Sequence, residues 1–270
     1  LGAIAGAVFW FSSIWWILRV TWAGMIAVCL YCALFTAAFA WAAAFVLRLP
    51  RMRGRFWSFG PLLAWPALWV GFEFLRANLF SGFSWNLLGT ALCRNLVVAQ
   101  HAEWGGVFLL SFIAALPSVG LALTVVRFSK GRQALRVPHL ELWAPILLVA
   151  ICFHAGRARF ERFRSRSANL TIAAVQPNVP QFQKWDDSFA PLIYDRLTTG
   201  TGMALAKDKP DLLIWPETAV PDYLLFSRAG FDLVAGFAAR GIPMLVGSLH
   251  YTVEEEKPHY YNSSFLFLPG

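Results

Sequence analysis

Ile214-Trp215-Pro216-Glu217-Thr218-Ala219-Val220-Pro221 is the stretch on which the reading of this chain turns. The apolar run ahead of it, from Leu212 to Trp215, has the length and content of a buried strand. Proline has no backbone N–H to give to a sheet and fixes its own φ. Pro216 and Pro221 therefore stop the strand and stiffen the turn after it. This predicts Glu217 at a fixed point just beyond the carboxyl end of a strand, where open α/β sheets place their chemistry. Trp215, two residues earlier, is placed to shield the carboxylate from water, which suits a general base working near neutral pH. The bland alternative is a surface carboxylate in a turn.

The surroundings have the same grammar. Residues 169–176 form a candidate strand ended by Pro177. Residues 187–207 read as a helix with Phe189, Leu192, Ile193 and Leu197 on one side, weakened in its second half by Gly200 and Gly202. Residues 229–240 suit a second helix, with Leu233, Val234 and Phe237 apolar. Residues 243–249 are a third strand, 254–258 a polar turn, and 260–268 a fourth strand. Strands alternating with helices argue for an α/β layer architecture. The sequence starts at Leu1 without Met and ends at Gly270 just after a strand, so it reads as a piece of a longer protein, cut within a domain. Leu1 opens directly into an apolar run with no basic segment before it, which argues against a signal peptide.

Upstream the character changes. The sequence is 58% hydrophobic and only 14% charged, with a mean hydropathy of +0.54. A soluble domain is nearer half apolar and a quarter charged. Of the acidic residues only Glu73, Glu103, Glu141 and Glu161 precede position 170. A water-soluble part thus follows a membrane part. The net charge of +8 does not imply nucleic acid, because the basic residues cluster in short loops between apolar runs, as orientation determinants do.

A membrane-crossing helix needs ~20 mostly apolar residues. Five candidates follow, at residues 1–18, 23–47, 56–75, 105–126 and 140–154. Arginines 48, 51, 53 and 55 separate the second from the third, and Arg127, Lys130, Arg132 and Arg136 the fourth from the fifth. Two spans lie between these basic loops, so both fall on one side, the cytoplasm by the positive-inside rule. The soluble part then lies on the outer side, with the arginines at 157, 159, 162, 164 and 166 available to anionic headgroups. The domains read as 1–156 (membrane), 157–168 (basic linker) and 169–270 (soluble).

Residues 76–89 are aromatic, contain glycine and carry little charge. They read either as an interfacial or re-entrant segment shaping lipid access, or as a loop that anchors helix ends through Trp85. Glu73 and Arg76, three apart, share a helix face, and structural pairing is the expectation. The four cysteines, Cys29, Cys32, Cys93 and Cys152, all lie in the membrane part. Cys29 and Cys32 lack a second pair or a histidine and read as buried thiols. Nothing in the sequence demands a metal or organic cofactor.

Trp215-Pro216-Glu217-Thr218-Ala219 resembles the glutamate motif of the carbon–nitrogen hydrolase (nitrilase) superfamily. Val175-Gln176-Pro177-Asn178-Val179-Pro180-Gln181, followed by Lys184-Trp185-Asp186, is similar to the opening of one membrane-bound branch, the apolipoprotein N-acyltransferases. Tyr260-Tyr261-Asn262-Ser263, Glu73-Phe74-Leu75-Arg76 and Ser81-Gly82-Phe83-Ser84-Trp85 resemble further parts of that pattern. The resemblance implies an α-β-β-α sandwich after a multi-span helical membrane domain in the bacterial cytoplasmic (inner) membrane. It implies transfer of an acyl chain from a phospholipid donor to the amine of a diacylglyceryl apolipoprotein, through a cysteine thioester. Glu217 would be the general base, Trp185 would help position substrate or be a core aromatic, and Asn262 reads as structural. The family's lysine and nucleophilic cysteine are expected beyond Gly270; Lys207, Lys209 and Lys257 lie outside its lysine motif. Residues 1–270 alone are therefore expected to be inactive. Two other readings stay open: a membrane-tethered amidase or nitrilase that uses water, and a non-catalytic membrane protein.

Overall fold

The computed structural model describes residues 1–48, 59–129, 139–164, 170–207 and 209–270. Most of both basic loops and the start of the first predicted strand lie outside these residues. The chain divides into two compact units, Leu1–Arg166 and Ser167–Gly270.

The first unit is helical. Helix α1 (Gly2–Ser13) gives way at Ile14 to a 3-10 turn, Trp15–Arg19. Ser12 Oγ donates back to Phe9 O at 2.9 Å, the kind of side-chain bond that competes with continuing a helix. The first predicted span is thus a twelve-residue helix. Helix α2 (Trp22–Val46) is capped by Thr21, whose hydroxyl accepts from Gly24 N. Helix α3 (Phe59–Asn78) precedes a 3-10 turn at Leu88–Leu92 and the short α4 (Leu96–Ala99). Helix α5 (Ala102–Phe128) is kinked at Gly105 and Gly106, the latter at φ +59. Helix α6 (Leu140–Arg164) continues through the basic stretch, so residues 157–164 are its last two turns.

Among the described residues, three helices, α2, α5 and α6, are long and apolar enough to cross a membrane. That is fewer than the five expected. Helix α1 is too short, and α3 is diluted by Glu73, Arg76, two prolines and two tryptophans.

Glu73 and Arg76 form no ion pair with each other, against expectation. Arg76 Nη1 donates instead to Phe83 O (2.7 Å) and Trp85 O (2.9 Å), and Glu73 Oε1 accepts from Leu88 N (2.7 Å). Both side chains hold the backbone of the loop after α3, whose own N–H and C=O groups need partners wherever water is excluded. Trp85 stacks on Trp16 at 5.1 Å between ring centroids. The loop is tied down by polar bonds and by aromatic contact.

The second unit holds a four-stranded sheet in the order β1 (Ile172–Ala174), β2 (Leu212–Trp215), β3 (Met244–Glu254), β4 (Lys257–Phe267). The first three strands are parallel and β4 is antiparallel to β3. After β1 come the short α7 (Gln181–Lys184) and then α8 (Ala190–Lys207), which carries the chain to β2. Helix α9 (Arg228–Ala238) connects β2 to β3, as parallel strands require a crossover. Leu197, Leu213, Trp215, Val220, Leu224, Val234 and Val246 form the core between helices and sheet. The predicted five-residue turn before β4 is tighter. Glu255 and Glu256, at φ +50 and +64, make a two-residue hairpin, so both strands run longer than expected.

Buried charge also joins α5 to α6. Gly120 lies where a Cβ would come within 2.4 Å of Glu141 O, so its bare backbone lets the helices close. Two turns further on α5, Arg127 Nη1 reaches both oxygens of Glu141 at 2.9 Å, and His139 Nδ1 is 3.1 Å from one of them. Glu141 is 1% exposed. Breaking a buried pair from one side leaves an uncompensated charge. Arg127→Leu should therefore destabilise the full-length protein by about 3–5 kcal/mol. Arg127→Leu combined with Glu141→Leu should recover most of that loss, read as thermal unfolding in detergent. Equal melting of wild type and Arg127→Leu would show the pair to be energetically idle.

Candidate active site

The site lies at the carboxyl ends of β1 and β2. Strand β2 stops at Trp215, which pairs in register with Val246. Pro216 and Glu217 then pass against β3 at Gly247, Thr218 turns the chain with φ +47, and Ala219 N bonds Gly247 O at 2.9 Å. A left-handed residue with a β-branched side chain is strained, and such strain persists only where the surroundings hold it. Here Gly247 supplies the hold. A Cβ there would sit 2.5 Å from Pro216 O and 2.7 Å from Glu217 Cα, so the turn rests directly on the backbone of β3.

Glu217 projects from this turn as an exposed side chain. Its Oε1 accepts a hydrogen bond from Asn262 Nδ2, on β4. Its main-chain oxygen accepts from Lys184 Nζ, at the end of α7, at 3.2 Å. The carboxylate is thus fixed by a neutral amide and its backbone by an ammonium. The shielding expected from Trp215 is absent. That ring is 1% exposed, donates from Nε1 to Thr201 Oγ1 at 3.0 Å, and meets Phe237 edge-on. It builds the core beneath the turn.

Beside Glu217 opens a cavity of about 260 Å³. Gln176, Pro177 and Asn178 of the loop after β1 form one wall, and Pro216 to Ala219 another, with Lys184 at its edge. Arg196 fixes the first wall, donating from Nη1 to Pro177 O (3.3 Å) and Asn178 O (2.9 Å). Asn178, at φ +49, is a second left-handed residue lining the same cavity. Beyond the turn, Asp222 Oδ2 accepts from Tyr194 OH at 2.9 Å and from Ser227 Oγ at 3.1 Å. Burial pushes the Tyr194 phenol up to about 12, so it stays a donor at neutral pH.

Trp185 is placed differently. It is 60% exposed, so it is not a core aromatic, and its ring is not among the residues lining this cavity. Its neighbour Lys184 does line it. The residues that sequence reasoning left aside are therefore Lys184, Asn262 and Gly247. Lys184 and Asn262 stood within motifs already singled out, but which side chain of each motif faces Glu217 depends on pairing between distant segments. Among the described residues no three His, Cys, Asp or Glu side chains come together as metal ligands would.

A family model described as the apolipoprotein N-acyltransferase N-terminal domain matches residues 1–120. The chain is 32% identical over 282 residues to an apolipoprotein N-acyltransferase of Geobacter metallireducens, a match that takes in all of this chain and 51% of the relative. It is 35% identical over 244 residues to the Azotobacter vinelandii protein of that name, covering 85% of this chain and 44% of the relative. A Brucella suis protein of the same name is 29% identical over 255 residues, with 84% of this chain and 45% of the relative covered. The chain belongs to the apolipoprotein N-acyltransferase family. It spans about half the length of the curated relatives it matches. The family model lies within the first unit, whereas the Geobacter match runs on through the strand-end turn that carries Glu217.

Two substitutions test the geometry in the full-length protein. Asn262→Ala removes the donor that orients Glu217, and turnover should fall roughly ten- to a hundredfold with KM little changed. Gly247→Ala must displace the Pro216–Glu217 backbone and should cost about 1–3 kcal/mol of stability as well as activity. Unchanged turnover in both variants would mean that the position of Glu217 does not matter.

Proposed function

We propose that the full-length protein transfers an acyl chain from a phospholipid to the amino-terminal amine of diacylglyceryl-cysteine lipoproteins, with Glu217 as general base. One observation carries the reading. In a chain whose relatives are named apolipoprotein N-acyltransferases, a rigid strand-end turn holds one oriented carboxylate at the mouth of a cavity. The reaction runs in two halves. A cysteine thiol gives its proton to Glu217 and attacks the phospholipid ester, and Glu217 returns that proton to the departing lysophospholipid oxygen as the thioester forms. The lipoprotein amine then loses a proton to the same carboxylate and displaces the thiol. A lysine stabilises the oxyanion of each tetrahedral intermediate.

All four cysteines of residues 1–270 lie before residue 153, so the nucleophile belongs to the part of the full-length protein outside this stretch. The same is proposed for the oxyanion lysine, and residues 1–270 alone are then inactive. Residues 169–270 are read as the first part of a nitrilase-like sandwich. The parallel β1–β3 sheet with crossover helices supports that reading. The apolar helices of the first unit hold the enzyme in the inner membrane with this domain on the outer side, where both lipid substrates are presented.

Glu217→Gln keeps the shape of the side chain and removes the base. In the full-length protein it should lower N-acylation of a diacylglyceryl lipopeptide by at least about a hundredfold and prevent thioester accumulation, both followed by mass spectrometry. Wild-type rates in that variant would end the general-base assignment. Release of free fatty acid without N-acylated product in the wild type would point to a hydrolase instead.

A further inference from the structure

The first unit contains a cavity of its own, of about 220 Å³, walled by α1, α2, α3 and the segment around the 3-10 turn at Leu88–Leu92. Its lining is largely aromatic, with Phe9, Trp10, Phe35, Phe39, Trp69 and Phe72. Glu73 and Arg76 also line it, and they are only 4% and 2% exposed. Most polar groups here are already matched. Trp10 Nε1 donates to Thr36 Oγ1 (3.2 Å), and Thr36 Oγ1 donates to Cys32 O (3.4 Å). Arg76 Nη1 serves the carbonyls of Phe83 and Trp85, and Glu73 Oε1 takes the N–H of Leu88. Two lining groups are buried without a hydrogen-bond partner: Glu73 Oε2, an acceptor, and Trp69 Nε1, a donor. A carboxylate oxygen in an apolar setting is costly unless a donor meets it.

We propose that this cavity binds the polar end of a neutral, hydroxyl-bearing lipid, whose O–H donates to Glu73 Oε2. A hydroxyl can donate to Glu73 Oε2 and accept from Trp69 Nε1, whereas groups that only accept, such as esters, ethers and phosphate oxygens, can meet Trp69 Nε1 but leave Glu73 Oε2 bare. Charge decides between the remaining donors. Glu73 and Arg76 together sum to zero, so an ammonium would leave an unbalanced cation among apolar walls. Aromatic faces could compensate such a cation, but the Arg76 guanidinium already lies over Trp10 at 4.6 Å. A hydroxyl satisfies the oxygen and leaves the balance unchanged. The aromatic lining suits the carbons next to it. A bilayer lipid is the source the walls favour, since α2, which contributes Cys32, Phe35, Thr36 and Phe39, is apolar enough to cross a membrane. Mono- and diacylglycerols are lipids of this class.

The test uses the full-length protein in phosphatidylcholine nanodiscs and three probes with the same diazirine-bearing chain: a long-chain alcohol, its methyl ether and the corresponding primary amine. The alcohol should label the peptides carrying Phe35, Phe39 and Phe72 about tenfold more than either analogue. Glu73→Gln keeps one oxygen for Leu88 N and puts an amide N–H donor in place of the other. It can therefore serve alcohol and ether alike, and the preference for alcohol should vanish. Equal labelling by alcohol and ether in the wild type would overturn the proposal, as would stronger labelling by the amine. So would a preference for alcohol that survives in Glu73→Gln. None of these readouts involves acyl transfer, so this proposal and the proposed function stand or fall separately.

Discussion

Gly247 has no side chain at the point where the Pro216–Glu217 backbone crosses β3, and the second unit is arranged around that contact. With the turn resting on the sheet, Ala219 can return to bond Gly247 O, and Thr218 is held in a left-handed conformation it would not adopt alone. Trp215, just before the turn, is pinned below by Thr201 and Phe237. The position of Glu217 is therefore set from beneath by core packing and from the side by β4, through Asn262. No part of the arrangement relies on the carboxylate being buried. The fold thus supplies the orientation of the carboxylate while the side chain stays exposed.

Polar residues in the first unit obey a different constraint. A loop that folds back onto a helix in an apolar environment must find partners for its own N–H and C=O groups. Arg76 and Glu73 provide them for Phe83, Trp85 and Leu88. The spacing of Glu73 and Arg76 on one helix face suggested an ion pair, but backbone groups brought near by the loop offered each a short, direct bond. The glutamate–arginine motif is thus a loop-fastening device in this structure, and the aromatic segment after it follows from that fastening.

How much was legible in the sequence follows from how local each feature is. Strand β2, helices α8 and α9 and the strand-end glutamate were readable because prolines, apolar spacing and caps act within a few residues. The Glu255–Glu256 hairpin was blurred, since two left-handed glutamates carry none of the Asn-Gly or Gly-rich signal such turns usually show. The first span was overestimated because an apolar run says nothing about where a helix breaks, and α1 ends at Ser13 inside one. Asn262 reads as structural from sequence because its meeting with Glu217, 45 positions away, depends on sheet register. Trp215 was misplaced for a related reason: its distance from Glu217 in sequence is small, but the turn between them sends the two side chains apart.

Three carboxylates illustrate how the degree of satisfaction tracks what a group is available to do. Glu141 has both oxygens engaged by Arg127 and one approached by His139, so nothing remains for a ligand, and its place is structural. Glu73 has one oxygen committed to a backbone N–H and the other bare in the cavity of the first unit, where only a donor can relieve it. Glu217 has one oxygen oriented by a neutral amide, while the side chain as a whole stays exposed beside a cavity. The orienting partner matters in each case. A cation bonded to the Glu217 carboxylate would neutralise it as a proton acceptor and compete for its lone pairs. The nearby Lys184 instead takes the main-chain oxygen of the same residue. It anchors the turn and leaves the carboxylate able to accept a proton, a division of labour that a single ion pair could not provide.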